Sequence, residues 1–368
     1  MIMSLDKNKV VVGMSGGVDS SVTAYILKKQ GYDVIGVTMQ VWPDMNGDEQ
    51  ESSGGCCGLS AVDDARRVAD RLEIPFYVMN FKDIFEKKVI QYFIDEYKRG
   101  RTPNPCIACN RFIKFDELLR RAHQLGAYYV ATGHYAKIIY DPETQQYRIK
   151  KSNTAGKDQT YALYHFTQEQ LAHTLMPLGD FESKDEVRKI AAEMGFINAY
   201  KPDSQEICFV KDDDYGSFIE ANEPEVVLPG DFVDTTGKKL GTHRGIVHYT
   251  IGQRKGLEIA LGKRSYVVEI RPESNQVVLG DNEDVFGAEL IAEDVNFIHL
   301  SYTNEPISVQ AQIRYNARAS EAILYPMENK TMKVVFKNPQ RAITPGQAVV
   351  FYQGDLLLGG GTISSKVR

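Results

Sequence analysis

Two cysteines stand close together in a proline-rich segment, and their spacing raises the first chemical question about this chain. The segment reads Thr102-Pro103-Asn104-Pro105-Cys106-Ile107-Ala108-Cys109-Asn110. A Cys-x-x-Cys pair has three interpretations: half of a zinc or iron–sulfur site, a redox pair, or a nucleophile with a bystander. The prolines predict a stiff loop that presents Cys106 and Cys109 between two helices.

The other cysteines lie far from this pair in the sequence. Cys208 belongs to the run Ser204-Gln205-Glu206-Ile207-Cys208-Phe209, and Cys56 and Cys57 are adjacent between two glycines. Adjacent cysteines chelate one tetrahedral ion awkwardly, so buried inert thiols are the default interpretation of Cys56 and Cys57. An odd total of five cysteines argues against a disulfide framework and predicts reduced thiols, some of them reactive.

A glycine-rich turn near the start of the chain predicts an anion site. The apolar strand Lys9 to Val12 leads into Gly13 to Ser21, and a helix-like stretch follows. Because Gly16 and Gly17 carry no side chain, backbone N–H groups can close around an anion at the positive end of the helix. The turn contains no Gly-Lys-Ser/Thr sequence and no lysine to reach a γ-phosphate, so hydrolysis of a terminal phosphate is not predicted. The alternative is a plain strand-to-helix connection with an Asp cap.

The first half of the chain alternates strands and helices around these residues. Short apolar strands are predicted at 33–41, 75–81 and 127–132, and amphipathic helices at 59–72, 84–97, 112–125 and 184–194. The alternation predicts an α/β fold with a doubly wound parallel sheet, in which ligands bind beyond the carboxyl ends of the strands. This places Gly13 to Ser20, Met39 and Gly133-His134 around one crevice. A hairpin of 137–140 and 147–150 is expected at the edge of that sheet.

The second half of the chain has a different sequence pattern. After about residue 212, Pro and Gly punctuate short alternating segments, and no helix of any length is predicted. From about residue 285 the regularly spaced short strands predict a C-terminal antiparallel β-barrel. The predicted division is therefore residues 1–212, a small central domain at 213–284, and the barrel domain at 285–368.

Composition and net charge indicate where the protein acts and which partners it can bind. The N-terminus lacks the features of a signal peptide and no apolar run approaches the length of a membrane span, so a cytosolic protein without membrane contact is expected. The net charge of −6 argues at first against a nucleic-acid partner. Locally, however, Lys98 to Arg121 holds seven basic residues against two acidic ones, and Ser301 to the end holds eight against four. These stretches are either solvated faces or RNA contacts, and interleaved tyrosines in the second favour RNA.

The glycine turn resembles the PP-loop of the ATP pyrophosphatases, in the pattern Ser-Gly-Gly-x-Asp-Ser. The resemblance implies that ATP is cleaved between its α- and β-phosphates, with magnesium on the phosphates. Relatives with this loop act on different substrates, so the loop indicates the activation chemistry only. The residues implied in ATP binding are Gly13, Met14, Ser15, Gly16, Gly17, Val18, Asp19, Ser20, Met39 and Gly133.

Further motifs narrow the resemblance to the tRNA-specific 2-thiouridylases. They are Thr102-Pro103-Asn104-Pro105, Cys109-Asn110, Thr132-Gly133-His134-Tyr135-Ala136, Lys157-Asp158-Gln159, Ser204 to Phe209 and Pro345-Gly346-Gln347, in that family's order. The resemblance covers almost the whole chain. It implies a PP-loop domain, a small central domain and a C-terminal β-barrel, and it implies 2-thiolation of the wobble uridine in lysine, glutamate and glutamine tRNAs.

The resemblance also implies roles for individual residues. Cys208 would carry a persulfide received from a sulfur donor, such as a cysteine desulfurase or a sulfur-relay protein. Cys109 would be the partner thiol, leaving a Cys109–Cys208 disulfide to be reduced in each turnover. Asn104, Pro105 and Cys106 would contact the target base. The residues implied in tRNA binding are His134, Lys157, Asp158, Gln159, Arg314, Tyr315 and Gln347.

Cys106 departs from the family pattern, because several members carry Asp at this position as a base contact or general base. A thiol is a weaker acceptor than a carboxylate and titrates several units higher. Either Cys106 acts as a thiolate or the base role is dispensable. The nearby Arg111 and Lys114 are expected to favour the thiolate of Cys109.

Two alternative functions stay open: a zinc- or iron–sulfur-dependent sulfur transferase that uses Cys106 and Cys109, and an amide-forming PP-loop synthetase.

Overall fold

The computed structural model describes residues 5–41, 59–154, 156–203, 207–210, 214–300 and 304–367. The chain forms two compact units, each assembled from separate stretches of sequence. The first consists of Met1–Val89, Cys106–Phe209 and Asp355–Leu357, and the second of Ile90–Pro105, Val210–Gly354 and Leu358–Arg368. The predicted domain boundaries near residues 212 and 284 are not tested by this division into two units, and they stay a prediction.

The secondary structure of the described residues is as follows. The strands are β1 (Asp6–Gly13), β2 (Asp33–Gln40), β3 (Phe76–Asn80), β4 (Ala127–Ala131), β5 (Ala136–Asp141), β6 (Gln146–Lys151), β7 (Thr174–Leu175), β8 (Gly230–Asp234), β9 (Lys239–His243), β10 (Tyr266–Arg271), β11 (Gln276–Gly280), β12 (Phe286–Phe297), β13 (Ile307–Gln312), β14 (Ser320–Pro326), β15 (Met332–Arg341), β16 (Ala348–Gln353) and β17 (Leu356–Val367). The α-helices are α1 (Val18–Lys29), α2 (Leu59–Arg71), α3 (Lys82–Phe85), α4 (Gln91–Lys98), α5 (Pro105–Ala108), α6 (Leu118–Gln124), α7 (Gln168–Ala172), α8 (Lys184–Glu193) and α9 (Tyr215–Asn222). Glu86–Ile90 and Cys109–Glu117 are π-helical, and Thr160–Leu163 is a 3-10 turn.

A parallel sheet of five strands, in the order β3-β2-β1-β4-β7, forms the centre of the first unit. Its middle strand β1 pairs with β2 on one side and β4 on the other. Val10, Val11 and Val12 of this strand are fully buried, as expected where helices cover both faces of a sheet. Apolar side chains of α1, α2 and α8 pack into this core. The predicted doubly wound parallel sheet is confirmed.

Helical structure begins earlier than predicted in the segment that carries the cysteine pair. Cys106 lies in α5, and Cys109 is the first residue of the π-helical segment, so neither thiol stands in a loop. The first residue of α5 is Pro105, and proline is favoured there because the missing N–H has no partner inside the helix. A membrane-spanning helix needs about 20 apolar residues, and the helices within the described ranges do not meet that requirement.

The predicted hairpin is present, but its predicted position was wrong. β5 and β6 pair with each other in antiparallel register, and β6 pairs with Leu356 and Leu357 rather than with the parallel sheet. The edge of the parallel sheet beside β4 is taken by the two-residue strand β7. That strand is too short to give a periodic signal in the sequence.

The second unit contains a small four-stranded sheet in the order β10-β11-β8-β9, in which β11 and β8 run parallel. The eight-residue helix α9 precedes this sheet and contradicts the expectation that no helix follows residue 212. Asp214 caps it, because its side chain accepts a hydrogen bond from the Ser217 N–H at 3.0 Å. A helix of two turns is too short for its apolar spacing to be recognised.

An antiparallel barrel completes the second unit and confirms the prediction for the C-terminal region. The strands follow the order β12-β15-β14-β13-β16-β17, and pairing of β12 with β17 closes the barrel. β14 shows the expected alternation: Ala322 and Leu324 are buried, whereas Ile323 and Tyr325 between and beyond them are exposed.

Ion pairs fix the end of the helix that starts at Cys109. Glu117 accepts hydrogen bonds from Arg120 Nη2 at 2.6 Å and from Arg121 Nε at 2.7 Å. The hydrogen bond from Arg120, followed by that from Arg121, outweighs burial and lowers the pKa of Glu117 to about 2. Arg121 also lies over the ring of Phe81, 4.0 Å from its centroid.

Glu117→Gln is expected to lower stability at neutral pH and to lose this effect in acid. Since the folded-state pKa is depressed, the contribution is present above pH 4.5 and disappears as the pH falls toward about 2. Melting temperatures of wild type and variant should therefore converge below pH 4.5. Glu321→Gln, which removes an exposed pair with Lys337 at 2.6 Å, is the control and should change little at any pH. A pH-independent difference for Glu117→Gln would contradict the assignment.

Gly16→Ala is expected to destabilise the first unit more than Gly31→Ala. Both glycines have a positive φ, +70° and +92°, and this backbone costs alanine about 1–2 kcal/mol at either position. A Cβ at Gly16 would also collide with the Ala61 carbonyl, whereas a Cβ at Gly31 meets open space. Such overpacking adds about 1–3 kcal/mol. Urea unfolding of the two variants measures the difference, and equal losses would show that the turn tolerates a side chain.

Candidate active site

Side chains of α1 and β2 shape the turn between β1 and α1. Ser20 Oγ accepts a hydrogen bond from the Ser15 N–H at 3.2 Å and donates one to the Gly17 carbonyl at 3.1 Å. Thr38 Oγ1 donates to the Met14 carbonyl at 2.7 Å. The turn is therefore held in one shape before any ligand arrives, with the positive end of α1 directed into it.

The turn after β4 comes against the start of α1. A Cβ on Gly133 would lie 2.8 Å from Asp19 Cβ and from the Ser20 nitrogen, so the approach requires glycine. Met39, near the end of β2, lies beside Gly13. The structure thus brings together the three parts of the chain that the sequence predicts around one crevice.

A chain of ion pairs leads away from this turn. Lys184 Nζ lies 2.6 Å from both carboxylate oxygens of Asp19 and 2.9 Å from Asp203 Oδ1. Lys157 Nζ lies 2.8 Å from Asp203 Oδ2. The Tyr135 hydroxyl donates to Asp19 Oδ1 at 2.7 Å. Two carboxylates and two ammonium groups therefore alternate along one continuous path.

Lys184 was not predicted as a site residue, and its position is unusual. It is the first residue of α8, where the helix dipole disfavours a cation, and only 8% of it is exposed. Burial of an unpaired ammonium is costly, so the two carboxylates are what make this position tolerable. The glycine turn contains no lysine of its own, and the fold supplies one from 165 positions further along the chain.

The environment fixes the protonation of two groups in this path. Burial alone would raise the pKa of Asp203, but hydrogen bonds from Lys157 and Lys184 outweigh it and lower that pKa below its usual value. Burial and the adjacent Asp19 raise the pKa of Tyr135 well above the usual tyrosine value. Asp203 is therefore ionised at neutral pH, and the Tyr135 hydroxyl keeps the proton that it donates.

The Lys157-Asp158-Gln159 segment is occupied by intramolecular contacts. Besides the Lys157 pair, Asp158 Oδ2 accepts a hydrogen bond from Thr160 at 2.6 Å, and Gln159 Oε1 accepts one from the Tyr135 N–H at 2.9 Å. Burial raises the pKa of Asp158. The structure thus gives all three residues a positioning role, and their contact with tRNA stays a prediction.

The same segment also holds the helix that begins at Cys109. Asn110 is buried, and its Nδ2 donates to the Ala162 carbonyl at 3.1 Å. Ala162 belongs to the Thr160–Leu163 turn that follows Gln159. Residues 157–162 therefore contact the turn after β4, Asp203 and the π-helical segment that begins at Cys109, which we call the cysteine helix.

The cysteines of the described ranges differ in exposure. Cys106 is exposed, Cys109 and Cys208 are half-buried, and none of the three forms a disulfide bond. Cys56 and Cys57 lie outside the described residues, as do Ser204 to Glu206.

The segments that carry Cys109 and Cys208 contact the same short helix. Phe209 packs edge-on against Phe85 of α3, with ring centroids 5.9 Å apart. α3 also contacts the π-helical segment whose first residue is Cys109. The neighbour of Cys208 and the segment that begins at Cys109 thus share α3 as a contact, and the pairing of the two thiols stays a prediction.

Two histidines of this unit are neutral at physiological pH: His134, which is buried, and His165, which is half-buried. Burial, with the positive charge of Lys114, holds the pKa of His134 well below its usual value, and its Nδ1 lies 2.7 Å from Thr132 Oγ1. Burial, with the charge of Arg111, lowers the pKa of His165 to about 3. The imidazole of His134 is turned inward, so its predicted contact with tRNA would require a different ring position.

In the second unit, the end of the proline-rich loop is held by the barrel. Gln347 Nε2 donates to the carbonyls of Thr102 at 2.9 Å and Pro103 at 3.3 Å. The Thr102 N–H donates to the Pro345 carbonyl at 2.8 Å. Gln347 thus positions the residues that lead into Asn104, which is half-buried. Its predicted contact with tRNA stays a prediction.

Arg314 and Tyr315 lie at a turn of the barrel. Arg314 Nη2 donates to the carbonyls of Arg341 and Ala342, and Gln312 Nε2 donates to the Tyr315 carbonyl at 2.8 Å. The Tyr315 side chain is 45% exposed. Arg314 therefore has a structural role in the barrel, and the contact of Arg314 and Tyr315 with tRNA stays a prediction.

The described ranges contain no candidate metal site built from three or more side chains. No three His, Cys, Asp or Glu side chains gather there into an ion-binding cluster. The zinc and iron–sulfur interpretation of Cys106 and Cys109 therefore gains no support from this part of the chain.

Asn198 is a second residue that sequence reasoning missed. Its Nδ2 donates to the Gly16 carbonyl at 3.0 Å and to Ser21 Oγ at 2.9 Å. No local pattern in the sequence indicates this contact. For Lys184 a signal existed, because Ser183 is a recognisable helix cap and a lysine directly after a cap opposes the helix dipole.

Three family models match the chain in sequence. They are a tRNA methyl transferase HUP domain at residues 8–212, a tRNA methyl transferase PRC-barrel domain at 217–281, and an aminomethyltransferase beta-barrel domain at 287–363. Among solved structures, a 4-thiouridine synthetase–RNA complex with bound ATP matches 59% of this chain and 51% of its own at 19% identity. Its TM-score of 0.36 is too low to carry an argument.

Relatives resemble the chain over almost its full length. The tRNA-specific 2-thiouridylase MnmA of Acetivibrio thermocellus is 61% identical over 359 residues, which are 98% of this chain and 100% of the relative. The protein of the same name from Clostridioides difficile strain 630 is 59% identical over 98% of this chain and 99% of its own. With this similarity, the matched models and the motifs placed around the glycine turn, the chain belongs to the tRNA-specific 2-thiouridylase family.

Proposed function

We propose that this protein uses ATP to replace the C2 oxygen of the wobble uridine in tRNA by sulfur carried on a cysteine persulfide. Near full-length similarity to proteins named tRNA-specific 2-thiouridylase supports the reaction class. The observation that carries the proposal is that the first unit contains the glycine turn, Cys109 and Cys208, and that the segments carrying the two cysteines both contact α3.

Activation of the base is the first requirement. The C2 carbonyl of uridine is an unreactive amide-like carbon with a poor leaving group, so exchange of oxygen for sulfur needs prior adenylylation. The uridine oxygen attacks the α-phosphorus of ATP, and pyrophosphate leaves. The turn from Gly13 to Ser20, the positive end of α1 and the ammonium of Lys184 provide positive potential for the phosphates.

Sulfur transfer then uses the two thiols. The outer sulfur of the Cys208 persulfide attacks C2, and the C2–O bond breaks with AMP as the leaving group. Cys109 thiolate attacks the inner sulfur of Cys208, which releases the outer sulfur to the base and forms a Cys109–Cys208 disulfide. The two thiols are oxidised and the transferred sulfur is reduced, so an external reductant must regenerate them.

The neutral imidazoles of His134 and His165, and the proline-rich loop that Gln347 holds, suit the binding of an uncharged base. A wobble uridine must leave its stack to reach an enclosed site. Asn104, Pro105 and Cys106 are the proposed contacts to this base, and Tyr315 is the proposed stacking contact elsewhere on the tRNA. Lysine, glutamate and glutamine tRNAs are the proposed substrates, and the protein acts in the cytoplasm with a persulfide-donating partner.

Magnesium is proposed to accompany ATP. Magnesium sites commonly combine one or two carboxylates with substrate phosphates, and Asp19 is the acidic side chain of the turn. When bound, the ion would neutralise phosphate charge. Asp19 Oδ1 contacts Lys184 and accepts a hydrogen bond from Tyr135, so these two side chains fix the position of this carboxylate in the structure.

Cys109→Ser and Cys208→Ser are each expected to lower 2-thiouridine formation by about 1000-fold or more, because loss of a covalent participant is only slightly compensated. Adenylylation precedes the sulfur-transfer step that uses the two thiols, so both variants should still release pyrophosphate in a first turnover with tRNA. Nucleoside mass spectrometry and single-turnover pyrophosphate assays measure the two steps separately. Full product formation by the double variant would contradict the persulfide route.

Cys106→Asp and Cys106→Ala are expected to separate the two roles left open for this thiol. If the thiolate acts as a base, the rate of the wild-type protein should rise with pH toward the usual thiol pKa of about 8.5. Cys106→Asp should reach its plateau at a lower pH, and Cys106→Ala should lose about 100-fold in single-turnover adenylylation. An alanine variant as fast as the wild type would show that no base is needed there.

A further inference from the structure

Helix α1 begins at the glycine turn without a capping side chain. Its N-cap residue is Gly17, and no side chain of the described residues caps it. The first N–H groups of an α-helix have no acceptor inside the helix. The N–H groups of Gly17 and Val18 can therefore be used by an anionic ligand of the turn.

One buried amide holds a carbonyl group of this turn. Asn198 Nδ2 donates to the Gly16 carbonyl at 3.0 Å and to Ser21 Oγ at 2.9 Å. Because a carbonyl oxygen only accepts, the nitrogen of the amide and not its oxygen must face Gly16. Asn198 is 2% exposed and Ser21 is fully buried, so both hydrogen bonds are shielded from water.

The hydroxyl of Ser21 extends this contact to the next peptide. Ser21 Oγ donates to the Gly17 carbonyl at 3.0 Å, and Ser20 Oγ donates to the same carbonyl at 3.1 Å. A hydroxyl can accept one hydrogen bond while it donates another, so Ser21 links Asn198 to Gly17. Asn198 therefore holds the Gly16 carbonyl directly and the Gly17 carbonyl through Ser21.

The geometry of the peptide bond turns held carbonyls into directed N–H groups. A peptide is planar and trans, so the C=O of one residue and the N–H of the next point in opposite directions. The held carbonyls of Gly16 and Gly17 thus direct the N–H groups of Gly17 and Val18 away from Asn198 and Ser21. Since neither glycine has a side chain to restrict its backbone, these hydrogen bonds limit the rotation of both peptides.

The segment that carries Asn198 is anchored on both sides of it. Phe196 and Ala199 belong to the apolar core of the first unit. Lys201 Nζ lies 2.8 Å from Asp64 Oδ2 of α2. Lys201 therefore anchors the same segment through a different helix, and it offers a control for changes at Asn198.

We propose that Asn198 is a positioning residue for the reaction of ATP at the glycine turn. Its amide presets the N–H groups of Gly17 and Val18 for the phosphates, so ATP meets a turn that already has its binding shape. A preset site binds more tightly, because the competent conformation need not be selected from others. This role deepens the proposed function and rests on it in one respect, that ATP is the ligand of the turn.

Titration of the wild type and of Asn198→Ala with ATP and magnesium tests this role. If the competent shape falls to about a tenth of the population in the variant, its dissociation constant for ATP rises about tenfold. Isothermal titration calorimetry measures this constant. Ser21→Ala keeps the contact of Asn198 with Gly16 and should weaken binding less. Lys201→Met is the matched control: its affinity for ATP should equal that of the wild type even if its melting temperature falls.

Asn198→Asp separates positioning from a general loss of packing. The ionised carboxylate of this variant cannot donate to the Gly16 carbonyl, whereas its protonated form has one O–H donor. Burial raises the pKa of a carboxyl, so this donor returns as the pH is lowered. Relative to the wild type at the same pH, the affinity of Asn198→Asp for ATP should rise between about pH 8 and pH 5 and exceed that of Asn198→Ala at the lower pH. Asn198→Ala should show no such rise.

Two results would overturn the positioning role. One is equal affinity for ATP in the wild type and Asn198→Ala. The other is an affinity of Asn198→Asp that only matches Asn198→Ala at low pH, because relief of charge repulsion alone would produce that. Both results leave the proposed function intact if the wild type forms 2-thiouridine. Conversely, a wild type that differs from its variants as expected in ATP binding but forms no 2-thiouridine with tRNA would retain the positioning role and lose the proposed function.

Discussion

The pairing of Lys184 with Asp19 and Asp203 is the constraint on which the first unit depends. A buried ammonium at the start of a helix is stable only while both carboxylates face it, so α1, α8 and the Asp203 stretch must keep one arrangement. Residues 157–162 reinforce it, since they bind Asp203 through Lys157 and the cysteine helix through Asn110. The glycine turn and the helix that begins at Cys109 are thereby attached to one polar network.

Local patterns in the sequence were sufficient to predict most of the regular elements and the glycine turn. Buried valines in β1, the amphipathic periods of α2 and α8, and the glycines of the turn each carry their signal within about a dozen residues. The short strands of the barrel follow the same logic, because alternation and turn residues repeat along them. Family motifs then indicated which of these elements carry the reacting groups.

Interactions between distant residues could not be predicted in this way. Nothing near Lys184 in the sequence identifies Asp19 as its partner, and nothing near Asn198 indicates Gly16. The hairpin of β5 and β6 was recognised, but it was placed at the edge of the parallel sheet, because the two-residue strand β7 that takes that edge has no periodicity. The segment of the cysteine pair was misjudged for a local reason: Pro105 suggests a loop but begins a helix.

The hydrogen bond from Gln347 to Thr102 spans 245 residues of sequence. At about 5–20 residues per second of ribosomal synthesis, Thr102 waits on the order of 10–50 seconds before Gln347 is made. During that interval the proline-rich loop is without its barrel partner in the nascent polypeptide. Completion of the second unit is thus a late event, and chaperones would meet the chain while the proline-rich loop still lacks its contact with Gln347.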